Sequence, residues 1–157
     1  MSTLIEGRWK TAGAFFRDLG IAAGFVVVVV LLLSVVPALL GVKPGSSLAS
    51  LTPKTGFELA VFLVLATMGG GFCEEIIFRG YLLRQFQGWT GSWAAGIILQ
   101  GVAFGLSHGY YSKIIMGIIM LHGILLGVLA YWRKSLLPGM LAHGLQDVGG
   151  GITAFLS

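Results

Sequence analysis

Long apolar runs broken by short polar ones set the plan of this chain. Leu19 to Leu40 is uninterrupted, passing through Val26–Val30 and Leu31–Leu33. Roughly 20 apolar residues cross a hydrocarbon core as a helix, so this run predicts a span. Ahead of it, Met1 to Asp18 reads as a polar arm, with Arg8, Lys10 and Arg17 basic and Trp9, Phe15 and Phe16 suited to the headgroup level. A basic arm before an apolar run also describes a signal peptide, with Ser47-Leu48-Ala49 as a weak cleavage site. The run exceeds the roughly 7–15 apolar residues of such a segment, so it reads as a retained anchor. Gly41 to Thr55 is a loop by its Pro, Gly and Ser content.

A second run starts at Gly56 and continues through Phe57–Met68 into Gly69-Gly70-Gly71-Phe72-Cys73-Glu74-Glu75-Ile76-Ile77-Phe78-Arg79-Gly80. Its three glycines either admit a neighbouring helix or break this one. Tyr81 to Phe86 is amphipathic and reads as interfacial, followed by a turn over Gln87–Ser92. Trp93 to Ser107 is the third run and ends at His108; Gly109–Lys113 is a turn. Ile114 to Tyr131 is the fourth, where Gly117, Gly123 and Gly127 predict tight helix packing. Leu136 to Phe155 is the fifth, interrupted by Pro138, His143, Asp147 and Gly149–Gly151.

The pattern predicts an all-α fold: a polytopic transmembrane helical bundle of about five spans with any site between helices. Continuous rather than alternating apolar stretches argue against a β-barrel. The chain divides into an arm (1–18), an anchor helix (19–40) and a core (56–157). Composition agrees. Only 10% of the 157 residues are charged and mean hydropathy is +0.92, against roughly 25% charged in soluble domains, so an aqueous globule is excluded. The +4 net charge is scattered at the ends of apolar runs, which fits membrane topology and not nucleic-acid binding. With the N-terminus inside, Arg8, Lys10, Arg17, Arg79, Arg84, Arg133 and Lys134 fall inside, and Lys43, Lys54 and Lys113 outside. The expectation is an integral protein of the plasma (inner) membrane with a cytoplasmic N-terminus. The single cysteine, Cys73, excludes an intrachain disulfide and reads as a buried structural thiol.

Charges within an apolar run carry the chemistry, because each costs at least roughly 2.5–3.5 kcal/mol at a bilayer centre. Residues four apart share a helical face, so Glu75 and Arg79 pair, with the acid N-terminal as favoured. Glu74 then points elsewhere without a cation and is the better base. Phe104 and His108 are also four apart, so the ring can pack beneath the imidazole. His143 and Asp147 repeat the spacing and can hydrogen-bond. His122 is the least informative of the three histidines. Glu74, His108, His143 and Asp147 lie on three segments of a chain with few polar membrane residues, and such groups satisfy one another. A cavity shared by them is a hydrolytic site or a metal site. Counting residues places Glu74 and His143 toward the inner leaflet but His108 near the outer end of its segment. For them to meet, that segment must tilt, start below the surface or be re-entrant.

Glu74-Glu75-Ile-Ile-Phe-Arg79, Phe104-Gly-Leu-Ser-His108 and His143-Gly-Leu-Gln-Asp147, in this order from about Phe57 to Gly150, resemble the EExxxR, FxxxH and HxxxN/D motifs of the CPBP (CAAX protease and bacteriocin-processing, Abi) intramembrane proteases. The resemblance implies a type II CAAX prenyl endopeptidase-like enzyme that hydrolyses a peptide bond in a membrane-associated protein or peptide, with residues 56–157 as its core. It assigns water activation to Glu74 with His108, and the oxyanion to His143 with Asp147. Asp147 departs from the asparagine of CAAX proteases: an ionised aspartate cannot donate to an oxyanion. Protonation, orientation of His143 and metal binding all stay open for it. Metallo- and glutamate-protease chemistries also stay open. His108, His143, Glu74 and Asp147 are the candidate ligands for a divalent metal such as Zn²⁺, although HExxH is absent. The alternatives are a catalytically silent immunity or scaffold protein that binds a membrane partner, or a small proton or ion carrier.

Overall fold

Capping chemistry sets where the helices of this chain start. In the computed structural model, which describes residues 9–41 and 52–156, Thr11 Oγ1 accepts from the Ala14 N–H at 3.2 Å and opens helix α1, Ala12–Leu39. The helix thus begins seven residues before the apolar run and takes in the end of the predicted arm. Thr55 opens α2, Gly56–Thr90, by accepting from the Glu58 N–H, while the Glu58 carboxylate accepts from the Lys54 N–H at 2.7 Å. The Thr55 hydroxyl satisfies a first-turn donor that has no intrahelical partner. Ser92 opens α3, Trp93–Leu106, and Ser112 opens α4, Lys113–Arg133. Ser135 Oγ accepts from the Leu137 N–H at the start of α5, Leu137–Leu156. The first eight residues with Arg8, the loop residues 42–51 with Lys43 and Ser47–Ala49, and Ser157 lie outside the described residues.

The glycine runs do not break their helices. The Gly69–Gly71 run lies inside α2, which continues through the acidic stretch and the predicted interfacial segment as one 35-residue helix. From Thr67 to Leu82 it winds wider, with i→i+5 hydrogen bonding, a geometry frequent at functional sites. It ends at Gly91, whose φ of 70° lies in the left-handed region. Pro138 occupies the first turn of α5, where no intrahelical N–H is needed, and the helix runs on through Gly149–Gly151.

The architecture is an all-α bundle. α1, α2 and α4 are long and apolar enough to cross a membrane by length and composition; α3 is apolar but only 14 residues. α5 has 20 residues but carries His143, Gln146 and Asp147. The most apolar window of α1 is only 11% buried, so the apolar surface faces outward, as lipid requires and water forbids. Val27, Leu31, Val64, Ile77 and Val128 belong to that outer belt. The chain is an integral membrane protein.

Glycines set the closest helix crossings. A Cβ on Gly71 would lie 2.8 Å from Gly144 Cα, so α2 and α5 touch backbone to backbone. A Cβ on Gly123 would lie 3.0 Å from Gly101 Cα, so α4 and α3 do the same. Of the glycines predicted to pack, Gly123 and Gly127 face α3, whereas Gly117 has nothing within 4 Å. Arg79, counted above with the inside cations, is fully buried, whereas Cys73, expected to be buried, is exposed.

Candidate active site

Glu75 and Arg79 lie one turn apart on the widened part of α2 and form the predicted pair, with Oε1 and Nη1 2.9 Å apart and both side chains fully buried. Arg79 Nη2 also donates to the Gly123 carbonyl of α4 at 3.4 Å. Its guanidinium lies 4.2 Å from the centroid of the Phe104 ring on α3, within cation–π range. One cation therefore ties three helices together. Gly139 of α5 leaves the room Glu75 needs, since a Cβ there would sit 2.8 Å from Glu75 Oε2.

Because α5 crosses α2 at Gly144 and Gly71, His143 comes down on Glu75. His143 Nδ1 lies 3.1 Å from Glu75 Oε1. An ionised carboxylate only accepts, so Nδ1 carries the proton. Nε2 faces Glu74 Oε2 at 3.8 Å, too far for a direct hydrogen bond and close enough for one bridging oxygen. The predicted His143–Asp147 hydrogen bond is not formed. Glu75, already fixed by Arg79, takes the imidazole, and the Asp147 carboxylate lies instead against Gly70, where a Cβ would collide with it. The Glu74 side chain is 33% exposed and that of Glu75 is buried, so helical spacing sorted the two carboxylates in the way it predicted.

Phe104 is the hub of the site. Its ring lies 4.8 Å from the His108 ring, 5.7 Å from that of His143 and 6.1 Å from that of His122. His108 Nδ1 is 2.8 Å from the Phe104 carbonyl, an acceptor only, so Nδ1–H donates. His108 makes no ion pair with Glu74 among the described residues, and reaches this centre through Phe104. The 14 residues of α3 span roughly 21 Å at 1.5 Å per residue, less than the hydrocarbon core.

Tyr110 and Tyr111, in the turn after α3, set their rings 5.6 and 6.5 Å from that of His108. Burial pushes the Tyr110 phenol up from its ordinary value, helped by Tyr111, Glu74 and Asp147. Burial, then Asp147, does the same for Tyr111. Both tyrosines thus feel the field of the site carboxylates.

Sequence reasoning missed two participants. Gln100 is fully buried and donates to the Gly123 carbonyl at 2.8 Å, beside Arg79. His122, the least informative histidine in sequence, stands 5.5 Å from His143 between ring centroids. The only sequence signal for either was a polar residue in an apolar run. Among the described residues no three His, Cys, Asp or Glu side chains gather as a metal-ligand set.

The chain matches no curated protein and no solved structure. A family model does match: Type II CAAX prenyl endopeptidase Rce1-like, over residues 56–149, more than half of the chain and the stretch that holds Glu74, His108 and His143. On that match the chain belongs to the Rce1-like type II CAAX prenyl endopeptidase family, whose members are intramembrane proteases.

Proposed function

We propose that this protein hydrolyses a peptide bond in a membrane-associated protein or peptide, with Glu74 as general base. The observation that carries the reading is the 3.8 Å approach of His143 Nε2 to Glu74 Oε2, with the far side of the imidazole anchored on Glu75. A water molecule between the two loses a proton to Glu74, and its oxygen attacks the scissile carbonyl carbon. Glu74 then returns the proton to the leaving amine. His143, with a proton on both nitrogens, donates from Nε2 to the developing oxyanion, a role commonly worth about 3–4 kcal/mol per donor. His108 assists proton removal from the water. Asp147 contributes to the oxyanion only as the carboxylic acid, because the ionised form has no proton to give.

Glu75, Arg79 and Phe104 hold these groups and do not react. Substrates meet the site from the cytoplasmic face, with the N-terminus on that side of the plasma membrane. The test is cleavage of an internally quenched farnesylated CAAX peptide by the purified chain in liposomes. Glu74→Gln is expected to lower kcat at least ~100-fold, in keeping with general-base losses, with the fold intact. Undiminished cleavage by Glu74→Gln rejects this mechanism. No cleavage of membrane peptides by a folded wild type would favour a binding or scaffold role.

A further inference from the structure

His122 lies in the middle of α4, is 3% exposed, and its Nε2 has no hydrogen-bond partner among the described residues. Leaving such a nitrogen unpaired is unfavourable, and a phenylalanine would fill nearly the same space without that cost. Fold stability therefore does not explain a histidine at this position, and its neighbours suggest what does. The His122 ring stands nearly perpendicular to that of His143, at 5.5 Å and 78°. It is perpendicular to Phe104 as well, at 6.1 Å and 78°, while Phe25 of α1 closes its other side at 5.9 Å.

The hydrogen bond to Glu75 holds His143 at Nδ1 only, and the imidazole can still swing about that point. Phe104, at 5.7 Å and 77°, and His122 remove that freedom and so determine where Nε2 points. The charged and titratable groups around His143 are Glu74, Glu75 and Arg79 from α2, His108 just past α3 and Asp147 on its own helix. From α4 the polar neighbour is His122.

We infer that His122 is a positioning residue of the peptidase reaction: it fixes the plane of the His143 imidazole and presents a polar ring to that doubly protonated, charged imidazole. An apolar ring fixes the plane but offers a charged imidazole no compensating dipole. This inference rests on the assignment of Glu74 and His143 as the reacting groups.

The experiment compares wild type, His122→Phe, His122→Gln and Glu74→Gln, full chain in liposomes, on the farnesylated peptide. His122→Phe is expected to unfold at the same or a higher temperature. Its kcat is expected to fall roughly 10–100-fold, the usual loss when a group supporting a reacting histidine is removed. KM stays within about twofold of wild type, since the residue is not placed against substrate, and the pH–kcat profile moves. His122→Gln, which restores a polar group without the ring, is expected to recover part of kcat. A His122→Phe enzyme with wild-type kcat and pH profile overturns the inference. Should His122→Phe fail to fold, His122→Gln decides: reduced kcat at unchanged KM supports the role, and wild-type kcat overturns it. An active Glu74→Gln sinks the underlying mechanism, whereas an inactive Glu74→Gln beside a fully active His122→Phe sinks this inference alone.

Discussion

Glu74 and Glu75 are neighbours of identical chemistry with opposite environments, one open to the site and one sealed in the bundle. Period alone separates them, because Arg79 can share a face with only one. The ion pair on that face is a structural necessity. With Glu75 and Arg79 both fully buried, Arg79→Met leaves an uncompensated carboxylate and should destabilise the fold by about 3–5 kcal/mol. Glu75→Gln/Arg79→Met removes both charges and should regain part of that loss, as read by thermal unfolding in detergent. A double variant no more stable than Arg79→Met would show that the pair is not the source. The pair was legible in the sequence because it is local. The partner of His143 was not. The i,i+4 spacing allowed Asp147, but Glu75, 68 residues earlier in the chain, competes for the same nitrogen and wins through helix packing. Local spacing cannot rank a local acceptor against a distant one.

At the scale of elements, the glycines carried two readings that only a neighbouring helix could resolve. Gly69–Gly71 would break an isolated helix by backbone entropy, yet α2 continues because α5 lies close against it. Gly71→Ala tests this contact. The added Cβ would meet Gly144 Cα at 2.8 Å and Gly144 N at 3.0 Å, backbone atoms that cannot rotate away. Overpacking of this kind costs about 1–3 kcal/mol. Activity should fall with it, since the contact sets the approach of His143 to the glutamates of α2. Gly69→Ala is the control: nothing lies within 4 Å of its Cβ, so it should be neutral or, through helix propensity, stabilising by up to about 1 kcal/mol. Equal damage from both substitutions would argue that glycine flexibility matters here and close packing does not. The fold class and the number of helices were readable from apolar periodicity. The shortness of α3 was readable as well, but its consequence was not, because the depth of His108 depends on what α3 packs against.

For the molecule as a whole, α1 lies outside the matched residues 56–149 and was read as a separate anchor, yet it forms a wall of the bundle. Leu32, Leu33 and Val36 pack on the cluster around Phe104, and Phe25 backs His122. At one end Asp18, 5% exposed, accepts from Arg133 of α4 at 3.0 Å, from Arg17 at 3.2 Å and from the Trp9 indole at 3.2 Å. This joins the start of α1 to the end of α4. It places Arg17 and Arg133 at the same end of the bundle. The sequence groups both with the inside cations but does not show the acid between them, since Arg133 lies 115 residues from Asp18. Asp18→Asn keeps the shape and removes the charge. Hydrogen bonds to charged groups are worth about 1.5–3 kcal/mol, so the variant should lose stability of that order. Its kcat per folded molecule should hold, because the bridge orients a wall and touches no reacting group. A double-mutant cycle with Arg133→Gln should return a coupling of about 0.5–3 kcal/mol, as expected for residues in contact. That coupling should change little with salt, because both side chains are mostly buried, at 7% and 19% exposure. A coupling near zero would mean that apolar packing alone holds α1 against the bundle.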